Sequence, residues 1–176
     1  MLNWRKVLTS DFLPLIAENE YWTDLMRTII FDDSSPTGLH LAVFVEPYLQ
    51  YVLDGRKTVE SRFSLRRTAP FGKVAVGDTI LLKRTGGPIL GVCQVAQVWF
   101  YRLDPKSLSN LRKEFTQALC AQDPDFWDKR KKASFATLIR LSSVLSIEPV
   151  AFPKQDRRGW VVLRNPIYAT NAERAR

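Results

Sequence analysis

Residues 89–103 read ILGVCQVAQVWFYRL, an unbroken stretch of mostly apolar, β-branched and aromatic side chains without a proline. Such a stretch is suited to one long strand, and Gly91 near its start permits the bulge or sharp bend that closes a small barrel. Shorter segments of the same character surround it. LHLAVFV (39–45) reads as a buried strand, KTVESRFS (57–64) as an alternating one, and Thr79–Lys83 as a strand entered through a Gly77-Asp78 turn. TGGP (85–88) marks a tight reversal, FATLIRLSSVLSIEPV (135–150) one long or two short strands, and GWVVL (159–163) the last. The helical signals between them are brief. EPYLQYVLDG (46–55) places Pro47 at a first helical position and Gly55 at a left-handed end. DPKSLSNLRKEFTQALC (104–120) has Asp104 as cap, Pro105 as opener and Leu108, Leu111, Phe115 and Leu119 on one side. DPDFWDKRKK (123–132) repeats the Asp-Pro start. Five or six strands with short inserted helices predict an α+β chain built on a small, mostly antiparallel β-barrel. No internal repeat or low-complexity tract interrupts the pattern.

Before the first strand, residues 9–31 carry Phe12, Leu15, Ile16, Trp22, Leu25, Met26 and Ile29 at near-helical spacing. Asp11 as cap and Pro14 in the first turn predict a single helix there, and FDDSSPTG (31–38) a linker. The division expected is a helical extension over 1–38, a barrel domain over 39–164 and a C-terminal tail over 165–176.

Charge separates the first two parts. Residues 1–38 hold three Lys/Arg against six Asp/Glu, and the remainder holds 23 against 12, for a net +8. A basic domain attracts polyanions, of which nucleic acid is the commonest inside cells. The acidic extension either packs against that domain or shields a basic groove. Two widely separated cysteines, Cys93 and Cys120, and one histidine, His40, encode neither a zinc site nor a disulfide framework. No metal or cofactor is expected, and His40 reads as structural. Asp11 interrupts the apolar core an export signal needs, and no apolar run approaches the ~20 residues of a membrane helix. A cytoplasmic protein without membrane contact is the expectation.

Residues 55–62, GRKTVESR, concentrate the chemistry. On a strand, Glu60 and Arg62 share a face, with Lys57 just upstream beyond the Gly55 turn. Arg62 can fork onto phosphate or a carbonyl edge, and a carboxylate such as Glu60 can accept from an exocyclic amine. Further candidates lie outside this segment. SLRRTAPFGK (64–73) interleaves Arg66 and Arg67 with Phe71, a combination that grips phosphates and stacks bases. DKRKK (128–132) is either a backbone-tracking surface or a solvated helix end. KQDRRGW (154–160) sets Arg157 and Arg158 beside Trp160, itself either a cleft wall or a core residue. Trp99 and Tyr101 are core or cleft edge.

Gly55, Lys57, Glu60 and Arg62 fit G-x-K-x-x-E-x-R, and in this the chain resembles the ASCH domain family of the PUA-like superfamily. LAVFVEPYLQYVLDG before the motif, AVGDTILL and ILGVCQVAQV after it, and RRGWVVL at the end match the family's order of elements over about residues 39–164. The resemblance implies a PUA-like barrel with a cleft that takes RNA or a modified nucleoside or nucleotide. Lys57, Glu60 and Arg62 would line it, with Arg66, Arg67, Phe71, Arg157, Arg158 and Trp160 extending it. Enzymes also occur in the family, as nucleases and as amidohydrolases acting on 4-acetylcytidine. For either activity Lys57 and Glu60 would be the catalytic pair. The deacetylating relatives, however, carry a threonine where this chain has Glu60, with Glu114 as a candidate for their distant carboxylate. Alternatively, the acidic extension serves as a protein-interaction module.

Overall fold

In a computed structural model, residues 3–154 and 156–166 are described. Pro14 shapes the start of the chain, because it lacks the N–H that would extend a regular helix through it. The extension therefore runs in pieces: α1 (Trp4–Val7), a π-turn over Leu8–Phe12, a 3-10 turn over Leu13–Ile16 and α2 (Glu20–Phe31). The single helix expected over 9–31 is thus broken. Asp11 sits within the π-turn, whose last donor, Leu13 N–H, reaches back to Leu8 C=O. Asn19, whose side chain accepts from Trp22 N–H at 3.1 Å, caps α2.

The barrel strands are β1 (Leu39–Phe44), β2 (Val59–Ser64), β3 (Thr79–Arg84), β4 (Ile89–Arg102), β5 (Phe135–Val150) and β6 (Trp160–Arg164). They form one curled half-barrel sheet in the order β2-β5-β4-β3-β1-β6, parallel only between β1 and β3. The helices inserted between strands are α3 (Tyr48–Leu53), α4 (Pro105–Leu119) and α5 (Pro124–Asp128). Asp104 caps α4 in a reciprocal box with Ser107, and Pro47 precedes α3 as its cap instead of opening it. Gly91 lies where β4 bends across the sheet. A Cβ there would meet the Leu145 carbonyl oxygen and Leu53 Cδ2 at 2.8 Å each, so only glycine lets strand and helix approach so closely.

Both faces of the central strands are covered, which explains why LHLAVF is apolar apart from the buried His40. Leu39, Leu41, Leu81 and Val92 meet Leu8, Phe12, Ile16, Trp22, Met26, Ile29 and Ile30 of the extension. Ala42, Phe44, Ile80, Leu82 and Cys93 point the opposite way, into the barrel, with Val52, Ile139 and Trp160. The indole N–H of Trp22 also donates to the Ser143 carbonyl at 3.1 Å, where β5 takes a positive φ of 50°. Each large side chain so buried contributes about 1.5–3 kcal/mol. The extension therefore packs as a layer of the core. Burial raises the Cys93 thiol well above its ordinary value and leaves it unreactive. Among the described residues no helix is long and apolar enough to cross a membrane.

The fully buried Phe12 gives a direct check on that layer. Phe12→Ala is expected to cost about 3–5 kcal/mol in chemical denaturation followed by tryptophan fluorescence. A cost below about 1 kcal/mol would mean that the extension is dispensable to the fold.

Candidate functional site

The turn after α3 aims the motif. Gly55 takes a φ of 75°, a left-handed conformation open to glycine, and ends the helix. The chain then returns across the end of α4: Lys57 N–H donates to Tyr51 C=O at 2.8 Å and Thr58 N–H to Ala118 C=O at 3.0 Å. From Val59 onward it runs as β2, an edge strand paired only with β5.

Lys57 is only 3% exposed. Its Nζ donates to the carbonyls of Val59 at 2.8 Å and Leu119 at 3.2 Å and lies 3.3 Å from Glu60 Oε2. The ammonium is thus held by two carbonyls and one carboxylate. Leu119 is the last residue of α4, so the cation also sits at the negative end of that helix. Burial pushes the Lys57 ammonium below its ordinary value, and the Glu60 carboxylate opposes that shift.

Arg62 holds the other side of Glu60. Its Nε lies 2.9 Å from Glu60 Oε1, an ion pair in which the N–H is not aligned as a hydrogen bond. Its two Nη atoms donate to Gly159 C=O at 3.1 Å and Val43 C=O at 3.0 Å. The guanidinium thereby ties β2, one edge of the sheet, to β1 and to the residue preceding β6 at the other. Phe44 and Trp160 offer their rings to it at 5.2 and 5.4 Å. A Cβ at residue 159 would lie 3.0 Å from Arg62 Nη1, so Gly159 allows the approach.

Lys57, Glu60 and Arg62 converge on an open hollow of about 690 Å³. Tyr48, Phe63 and Phe126 supply aromatic wall, and Lys129, Arg130 and Lys132 supply cations. The DKRKK run thus borders the hollow. Arg130 stacks its guanidinium 3.5 Å from the Phe126 ring centroid and donates to the Phe126 carbonyl, which fixes both on the wall. Tyr48 and Phe126 were not singled out in the sequence. The only signal for Phe126 was its place after the second Asp-Pro start, since α3 and α5 meet the motif only through tertiary packing.

The other candidates are dispersed. Arg157 and Arg158 line a second hollow that shares Val43, Val45 and Arg62 with the first. Trp160 is 3% exposed and donates its indole N–H to His40 Nδ1 at 3.2 Å, so its edge belongs to the core while its face meets Arg62. His40 Nε2 in turn lies 2.9 Å from Asp78 Oδ2, a buried structural chain. Arg66 is exposed and borders neither hollow. Arg67 stacks over Phe71 and Phe135, and Phe71 packs edge-on against Phe100 and Phe135, outside the motif hollow. Glu114 is exposed on α4 and does not line the hollow. Trp99 packs against Phe115, beneath α4. Among the described residues no cluster of His, Cys, Asp and Glu is arranged to hold a metal ion.

No protein-family model matches the sequence, and no curated protein matches it. Solved structures do. ASCH from Zymomonas mobilis superposes with a TM-score of 0.58 at 16% identity, covering 72% of this chain and 87% of that one. A serine-to-alanine variant of the same protein gives 0.59 at 16% identity, with 74% and 91% covered. A tyrosine-to-phenylalanine variant gives 0.58 at 16%, with 72% and 90% covered. The chain therefore has the ASCH fold.

Burial of Lys57 has a pH signature. Because its folded pKa lies below the ordinary 10.5, the unfolded chain binds more protons in the window between the two, and stability rises with pH there. The difference in unfolding free energy between wild type and Lys57→Met should therefore move in favour of wild type as pH is raised from neutrality toward 10.5. A pH-independent difference would contradict the geometry.

Proposed function

We propose that this chain is an ASCH-domain protein that binds RNA or a nucleotide-like ligand, seating one base in the hollow above Glu60. The observation that carries this reading is a buried carboxylate, gripped by two cations, facing an open space with aromatic walls and a cationic rim. Lys57 and Arg62 are anchored by bonds to protein carbonyls and by their ion pairs with Glu60. Their two ion pairs fix the carboxylate in one orientation, so Glu60 is the group offered to the ligand. A carboxylate accepts, and it favours a base edge carrying an exocyclic amine, as cytosine does, over one presenting a carbonyl. Tyr48, Phe63 and Phe126 offer apolar surface to the ring, while Lys129, Arg130 and Lys132 suit the phosphates.

Hydrolysis draws less support. The Lys57 ammonium, which an amidohydrolase would employ, is occupied by two backbone carbonyls and Glu60. Release of cytidine from 4-acetylcytidine, followed chromatographically, would reverse that ranking.

Calorimetric titration with cytidine and uridine monophosphates tests the binding reading. Cytidine monophosphate is expected to bind at least about tenfold more tightly, a difference of about 1.4 kcal/mol. Glu60→Gln leaves one oxygen for one of the two cations and sets an NH₂ against the other, so the oriented pair of acceptors is lost and the preference should vanish. Lys129→Ala with Lys132→Ala, both at exposed positions, should weaken short RNAs and flatten the salt dependence without lowering the melting temperature. Equal affinity for the two nucleotides, or a Glu60→Gln protein that still discriminates, would count against the reading.

A further inference from the structure

The second hollow, of about 1030 Å³, adjoins the first across Val43, Val45 and Arg62. Besides Arg62 it is lined by Lys83, Lys154, Arg157 and Arg158, with Asp156 as the carboxylate among them. Asp156 is already engaged: its Oδ1 accepts from Lys154 Nζ at 2.6 Å, and Arg158 Nη2 donates to its Oδ2 at 3.0 Å. These bonds hold its carboxyl well below the usual carboxylate range.

Lys83 is the residue without a structural explanation. It projects from β3, is only 5% exposed, and donates to one acceptor, the Gly87 carbonyl in the β3–β4 turn. Two of its three donors are left over. Among the described residues no carboxylate pairs with it, and Lys154 is a neighbouring cation. Burial and that neighbour push its ammonium below the ordinary lysine value. Lys57, more deeply buried, has two carbonyls and the Glu60 carboxylate around its ammonium. A buried cation lacking a counter-ion costs stability unless something anionic reaches it. Arg157, exposed and without a carboxylate partner among the described residues, faces the same space.

Resting on the reading above, we infer that the second hollow is a subsite for the backbone of a single-stranded oligonucleotide. One base enters above Glu60, the chain passes Arg62, and the next phosphates meet Lys83, Lys154 and Arg157. The ligand class is then a strand of several nucleotides rather than a free nucleoside. A groove of cations beside an aromatic-walled base pocket is the ordinary design for holding single strands.

Pentacytidylate, cytidine monophosphate and cytidine triphosphate, titrated by fluorescence anisotropy competition, test this. Pentacytidylate should bind wild type at least about tenfold more tightly than the monophosphate, with a salt slope steeper by about 0.7 for each added phosphate contact. Lys83→Met, which keeps the stem and removes the charge, and Arg157→Ala should each erode that advantage while leaving monophosphate affinity unchanged. Melting temperatures at or above that of wild type would show that Lys83→Met is folded. Pentacytidylate no tighter than monophosphate, or an advantage that survives both substitutions, would overturn the subsite and leave the base pocket standing. Triphosphate matching pentacytidylate would overturn it in favour of a mononucleotide site. If neither pentacytidylate nor monophosphate binds, the base pocket and the subsite fail together.

Discussion

Arg62 is the constraint on which the site is built. The six-stranded sheet curls without hydrogen-bonding its two ends, β2 and β6. The guanidinium bridges that seam, with one Nη on Val43 C=O and the other on Gly159 C=O. Its Nε side faces Glu60, and Lys57 grips the opposite carboxylate oxygen while also binding the last carbonyl of α4. One chain of polar contacts therefore links α4, β2, β1 and the entry to β6. An ion pair so placed is weak evidence for stability, because desolvation offsets most of its attraction. Its clearer consequence is geometric, since a cation on each oxygen fixes the carboxylate in one orientation.

The N-terminal extension serves a different part of the molecule. Its apolar residues cover the outer face of β1, β3 and β4, opposite the barrel interior. None of its described residues lines either basic hollow. Of the two arrangements open from the charge balance, packing against the domain and shielding its groove, the first is the one realised. The acidic side chains stay largely at the surface, and the basic surface around the motif is left open.

How far the sequence could be read depended on the range of the interactions involved. Whereas the close approach that Gly91 permits to Leu145 and Leu53 is tertiary, Gly55 and Asp104 act through local backbone geometry, and their roles followed from residue type and position. Alternation on β2 put Glu60 and Arg62 on one face for the same reason. The break at Pro14 was harder to place, since the apolar period runs on through it and a π-turn keeps both Leu8 and Phe12 inside. Tertiary packing was beyond reach. Nothing in LRKEFTQALC announces that its final carbonyls receive Lys57, and nothing in TILLKR marks Lys83 as buried without a counter-ion. Residue type likewise gave no sign that Arg67 and Phe71 pack on each other and on Phe135, outside the motif hollow.

The two hollows divide the chemistry between them. One presents a fixed acceptor within aromatic walls, and the other presents cations with donors to spare. On the proposed reading, recognition of a base by its amine edge and retention of its backbone by charge would fall to these adjoining surfaces. A crystal structure with cytidine monophosphate bound is the most direct measurement of the central claim. It should place the base's exocyclic nitrogen about 3 Å from a Glu60 carboxylate oxygen, with the contacts of Lys57 and Arg62 unchanged. A nucleotide bound elsewhere, or one whose phosphate displaces Glu60 from Arg62, would contradict it.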